Sequence, residues 1–156
     1  MPGRNTKKHG FTLVEILIVV VILGILAMIV IPQFTNASES AKASNVGTQL
    51  LTLRSQLELY LIHHNGTYPL LATLQTGLPD TWTGLTTQTD ATGAPGTDFG
   101  PYLEQPPRNI FTNGINVAAD NTQDWEYNET TGAIRAVVPA VKIAQLNLSA
   151  NDVVAQ

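Results

Sequence analysis

The sequence predicts an α+β protein: a long N-terminal helix, apolar in its first half and amphipathic in its second, leading into a small C-terminal domain with a β-hairpin. Three observations predict it. Phe11 to Ile31 is a run of 21 almost entirely apolar residues. Val46, Leu50, Leu53, Leu57 and Leu61 then recur at spacings of 4, 3, 4 and 4, which is one face of a helix. Further on, Trp125, Tyr127, Ile134, Ala136 and Val138 alternate with Glu126, Asn128, Arg135 and Val137 on either side of a turn at Asn128 to Gly132, as in a hairpin.

Length and composition set the outer bounds. A chain of 156 residues is enough for one domain. There is no cysteine, so neither a disulfide nor a thiolate enters the argument. The 8 basic and 12 acidic residues give a net charge of −4. Removal of residues 1–10 would take Arg4, Lys7 and Lys8 and leave an acidic body, which argues against nucleic acid as the main ligand.

The apolar run comes first in the chain. At about 1.5 Å per residue it makes a helix roughly 31 Å long, matching a hydrocarbon core of about 30 Å. Arg4, Lys7 and Lys8 precede it and the next basic residue is Lys42, so the positive-inside rule places the N-terminus in the cytoplasm and the body outside. A secretory signal peptide has a shorter apolar core, about 7–15 residues, and a small-x-small cleavage site. The nearest candidate, Thr35-Asn36-Ala37, fits that pattern poorly. A plain signal anchor fits length and charge but gives no reason for Glu15, a carboxylate four residues into the run. A charge at the centre of a membrane helix is disfavoured by about 2.5–3.5 kcal/mol on insertion scales.

Within this segment, "GFTLVEILIVVVILGILAMIVIPQF" resembles the type IV pilin-like family, the pilins and the pseudopilins of type II secretion. A basic leader, then Gly10, Phe11, Thr12, Leu13, Val14 and Glu15, fill that family's opening signature without a gap. The resemblance covers about residues 7–34. It implies that a prepilin peptidase cuts between Gly10 and Phe11 and methylates the new Phe11 amine. It also implies that Glu15 pairs with the Phe11 ammonium of a neighbouring subunit in a filament. A carboxylate buried among apolar helices needs a cation, and cleavage creates one.

Proline within a helix removes one hydrogen bond and crowds the carbonyl four residues back, here Met28, so a kink is expected near Met28–Pro32. Gly24 weakens the helix by about 1 kcal/mol relative to alanine. The resemblance suggests that Gly24–Pro32 loosens as subunits pack; a simple bend that aims the outer half is the alternative.

From Gln33 the helix continues as an amphipathic half to about His64, where Asn65-Gly66 stops it. Its leucine stripe is read as core, with a coiled-coil partner surface as the alternative. His63 and His64 point about 100° apart on a helix and do not converge on a metal; they are read as exposed polar residues.

The segment "GTYP" (Gly66–Pro69) docks Tyr68 in a tight turn. Thr73–Asp98, with nine threonines and several Gly and Pro, reads as a long irregular connection pinned by Trp82. Tyr102, Leu103, Ile110 and Phe111 are expected anchors. Residues 140–156 are expected either to add an edge strand around Val141–Leu148 or to trail off. The resemblance implies that the hairpin belongs to a small antiparallel sheet packed on the helix. The expected organisation is a leader at 1–10, a transmembrane or filament-core half-helix at 11–32, an amphipathic half-helix at 33–65 and a globular domain at 66–156.

Asp120, Asn121, Asp124 and Glu126 form an acidic cluster before the hairpin. Some secretion pseudopilins bind calcium in an acidic loop of this region. Calcium takes six to eight oxygens, and this cluster has no EF-type spacing. Nor is there an Asp-rich terminal loop, so the cluster is read as a solvated loop and no cofactor is expected, with calcium as the alternative. No hydrolase, zincin, phosphate-loop or dinucleotide motif is present, and an enzyme is not expected.

The resemblance implies a filament subunit, most readily a type II secretion pseudopilin in the inner membrane with its body outside the cytoplasm. Its expected partners are copies of itself, minor pilin-like subunits, the prepilin peptidase, the inner-membrane assembly platform and, before assembly, membrane lipid. The alternatives are a pilin of a surface fibre for adhesion, motility or DNA uptake, and a signal-anchored binding protein.

Overall fold

A computed structural model describes residues 10–156 of the chain. Arg4, Lys7, Lys8 and the rest of the expected leader up to residue 9 lie outside the described residues. The chain divides into two compact units, the first ending at Ser38 and the second running from Glu39 to Gln156.

Helix α1 spans Leu13–His63, 51 residues, with Pro32 inside it. It starts and stops within two residues of the expected bounds. Its C-terminal stop follows from Asn65 and Gly66, both at positive φ (56° and 79°), which let the Gly66 N–H turn back to the Leu61 carbonyl at 2.9 Å. Among the described residues of the first unit the apolar side chains are exposed.

In the second unit α1 buries Val46, Leu50, Leu53, Leu57 and Tyr60, and the next helical position, His64, is buried as well. The spacing is therefore 4, 3, 4, 3 and 4. Leu61, expected in this stripe, is only half-buried. The row shifts by one position after Leu57, because a helix of 3.6 residues per turn keeps a face by alternating steps of three and four.

The long connection after α1 contains two single helical turns, α2 (Leu71–Leu74) and α3 (Thr83–Thr86). Its threonines replace regular ladders with local bonds: Thr83 Oγ1 donates to the Thr73 carbonyl at 2.7 Å and Thr81 Oγ1 to the Thr76 carbonyl at 2.6 Å. Trp82 is fully buried, as expected of the pin, and its Nε1 donates to the Ile115 carbonyl at 2.7 Å.

Four strands form one sheet in the order β1 (Val117–Ala118), β2 (Trp125–Tyr127), β3 (Ile134–Val138), β4 (Val153–Ala155). The hairpin β2–β3 is antiparallel, with Trp125 opposite Ala136 and Tyr127 opposite Ile134. The sheet as a whole is mixed, not antiparallel as expected, because β1–β2 and β3–β4 are parallel. A parallel neighbour needs a crossover. Helix α4 (Ala140–Leu146) supplies it between β3 and β4. This also corrects the expected strand at Val141–Leu148. Pro139 precedes the helix, Ile143 and Leu146 lie three apart on its half-buried side, and Asn147 ends it at φ 49°. The strand comes later, where Val153 is buried.

The core lies between the second half of α1 and the sheet, with Trp82 and Trp125 meeting edge to face at 6.5 Å. Tyr102 is buried and Leu103 and Phe111 are half-buried, but Ile110 is exposed and anchors nothing. The interior place beside it belongs to Asn109, whose Nδ2 donates to the carbonyls of Asp124 and Val137, both at 2.7 Å. Val137, expected to face outward, is buried too.

Candidate functional site

The candidate site is the mouth of α1. Thr12 is its N-cap, since its carbonyl accepts the first helical bond, from the Ile16 N–H at 3.3 Å. The Glu15 N–H donates to Thr12 Oγ1 at 3.2 Å, and Glu15 Oε2 accepts from the Thr12 N–H at 3.0 Å. Thr12 Oγ1 also donates to Oε2 at 2.9 Å. This is a capping box, in which two otherwise orphaned backbone donors are satisfied reciprocally. The carboxylate also sits in the first turn, where the helix dipole favours a negative charge. Glu15 therefore has a purpose inside a single chain that the membrane argument alone misses. The spacing Thr-x-x-Glu before an apolar run carries that signal in the sequence.

Gly10 and Phe11 precede the cap and are exposed, Phe11 by 84%. A segment that lies outside regular structure and is uncovered is accessible to another protein. Downstream, Leu13 to Ile31 present apolar side chains around the whole helix circumference, each at least 42% exposed among the large ones. A helix that is apolar all round is a buried one, in lipid or in a larger assembly. The segment is long and apolar enough to cross a membrane. A side chain at Gly24 would meet nothing within 4 Å, and α1 continues through Pro32.

The histidines do not lie where expected. His64 is buried, 1% exposed, stacked on Tyr60 at 3.6 Å between ring centroids. Its Nδ1 lies 2.8 Å from the Tyr60 carbonyl and its Nε2 2.9 Å from Thr89 Oγ1. A carbonyl only accepts, so Nδ1 carries a proton, and in the neutral ring Nε2 accepts from the threonine hydroxyl. His63 is half-buried, 3.0 Å from the Tyr102 hydroxyl. Both are structural, and the 3–4 spacing of the buried stripe is what places His64 inside.

The acidic cluster is not a uniformly solvated loop. Asp120 closes its own turn on Thr122, whose hydroxyl and N–H hold its carboxyl below the usual carboxylate range. Asp124 accepts the Asn116 N–H at 2.9 Å, and Glu126, in β2, pairs with Arg135 across the hairpin. Each carboxylate of the cluster thus has a partner of its own. Among the described residues no three His, Cys, Asp or Glu converge as a metal site.

The family profile described as "Prokaryotic N-terminal methylation motif" matches residues 5–31. The chain is similar to type II secretion system core protein G of several bacteria. It is 41% identical over 66 residues to that of Vibrio cholerae, covering 42% of this chain and 44% of the relative. Against that of Dickeya chrysanthemi it is 40% identical over 63 residues, 40% of each chain. The Pectobacterium carotovorum protein is 33% identical over 101 residues, 65% of this chain and 62% of the relative. The chain thus spans less than two thirds of the length of these curated relatives. No solved structure matches.

Proposed function

We propose that this chain, a pseudopilin-family protein by its prepilin-type N-terminal segment, is a structural subunit of a type II secretion pseudopilus. One observation carries the reading: α1 begins two residues after Phe11 and exposes every apolar side chain of its first half, a surface that lipid covers first and other copies cover later. On this reading the leader stays in the cytoplasm and the body lies outside the inner membrane. A prepilin peptidase cuts between Gly10 and Phe11 and methylates the Phe11 amine. The subunit contributes shape and contacts rather than catalysis, and it assembles with copies of itself and minor subunits on an inner-membrane platform.

The capping box refines the role of Glu15. Thr12 and Glu15 both lie downstream of the cut, so the box survives processing. It keeps the carboxylate satisfied near the interface while the subunit waits in lipid. Both Thr12 bonds use Oε2, which leaves Oε1 to accept from the Phe11 ammonium of a neighbour. Gly24 and Pro32 mark the part of α1 that loosens on packing.

Mass spectrometry of the purified chain tests the reading: the mature N-terminus should be methylated Phe11. An intact Met1, or a cut near Ala37, would overturn it. Two variants separate the roles of Glu15. Glu15→Gln keeps a capping-box acceptor but removes the charge; Glu15→Val removes both. Both should insert, and both should fail to give filaments. Wild-type filament levels from Glu15→Gln would refute the charge pair.

A further inference from the structure

We propose that Arg54 is the built-in cation of the C-terminal loop, closing through its guanidinium a ring of oxygens of the kind that calcium closes, so that the body folds without a metal. The residues concerned all lie in the unit from Glu39 onward. Arg54 follows the buried Leu53 on α1 and reaches the loop between α4 and β4. Its Nη1 donates to Asp152 Oδ1 at 2.7 Å. Its Nη2 donates to the Asn151 carbonyl at 2.9 Å and to the Ile134 carbonyl at 3.1 Å. Three oxygens, from two segments far apart in sequence, thus converge on one side chain.

A carboxylate and backbone carbonyls are the ligands a calcium loop uses. A guanidinium reads the same acceptors with a rigid fork of N–H donors. The two cations exclude each other, because a divalent ion at these oxygens would sit against the arginine charge at contact distance. Asp152 is also the one acidic side chain among residues 139–156. The other acids near the sheet are committed as described: Asp120 to its turn, Asp124 to the Asn116 N–H, Glu126 to Arg135.

The clasp also fixes the sheet edge. Asp152 accepts the Ala136 N–H on its carbonyl at 2.9 Å, immediately before Val153 pairs with Ala136. Within the loop itself the bonds are short-range, with the N–H groups of Asp152 and Val153 both donating to the Ser149 carbonyl at 3.0 and 3.1 Å. Arg54 is therefore the side-chain tie from α1 to the point where β4 starts.

The test uses the full chain in detergent micelles, read by thermal unfolding and by amide hydrogen exchange, with calcium chloride or a calcium chelator. The wild-type midpoint should be the same in both. Arg54→Gln should lower it by about 3–6 °C and speed exchange at Val153–Ala155 at least tenfold more than in β2 and β3. Arg54→Lys, which keeps the charge but not the fork, should fall between. Asp152→Asn removes the exposed partner and should reproduce the β4 effect if Arg54→Gln does not fold. A wild-type midpoint raised several degrees by calcium would overturn the proposal. So would unchanged β4 exchange in Arg54→Gln and Asp152→Asn.

Discussion

Leu26 and Leu53 belong to the same helix, with the same side chain, and meet opposite surroundings: Leu26 is 52% exposed and Leu53 2%. Around Leu26 the neighbours are Ile, Val, Leu and Ala on every side of the helix. Around Leu53 only one face is apolar, and the sheet and the loop at Trp82 cover it. Among the described residues, the first half of α1 leaves its apolar side chains uncovered on every side. The second half has just enough apolar surface for the domain that follows. The difference teaches that one continuous helix carries two kinds of apolar surface, a single stripe covered by its own domain and a full circumference left open.

The strongest way to break this comparison is to truncate both leucines. Leu53→Ala should destabilise the body by about 2–5 kcal/mol, since a filled site becomes a cavity. Leu26→Ala should change the body's unfolding by less than about 0.5 kcal/mol, as substitutions outside such features do. Thermal unfolding in micelles reads both. Equal losses would mean that the first half is packed against its own chain after all.

Glycines sharpen the contrast at a smaller scale. Gly132 has φ +68°, and a Cβ there would run into the Tyr68 ring, which the Gly66–Pro69 turn lays over the hairpin. Gly132→Ala should cost about 1–3 kcal/mol through strain and overpacking. Gly24 has open space and helical surroundings, so Gly24→Ala should stabilise its half-helix by about 1 kcal/mol. Circular dichroism of the two variants checks the opposite signs. If Gly24 serves loosening during assembly, the same variant should assemble more slowly while being more helical.

The apolar run, the stripe and the hairpin were legible in the sequence because each is a strong periodic signal. Trp82 was legible as the one aromatic residue in the threonine-rich segment Thr73–Asp98. His64 was not, because an imidazole on the core face is admitted by two specific partners, the Tyr60 carbonyl and Thr89, that only the folded loop provides. The parallel edges were not, since parallel pairing depends on where α4 returns the chain. The capping box at Thr12 and Glu15 was present as a spacing, but the cost of charge in lipid drew the reading toward distant partners. Arg54 carries no local pattern: its acceptors lie 80 to 98 positions away.

The smallest expected effect concerns Glu39, at the point where the second unit begins. Lys142 on α4, at 3.1 Å, and then Lys42, at 3.2 Å, hold its carboxyl below the ordinary 4.5. A lowered folded-state value means that the folded state favours the charged form. The pair therefore stabilises the body above about pH 4.5 and ceases to do so as the pH falls through the folded value. Asp90, held low by the Thr92 hydroxyl and N–H, contributes in the same direction, as does Asp120. Wild type alone would show only their combined acid loss. Glu39→Gln isolates one group: its midpoint should lie slightly below wild type at pH 7, and the gap should close as the pH falls below 4.5 and through the lowered folded value. High salt should narrow it too, because ion pairs near the surface are screened. A gap that persisted once the carboxyl is protonated would assign Glu39 a packing contact in place of a charge contact.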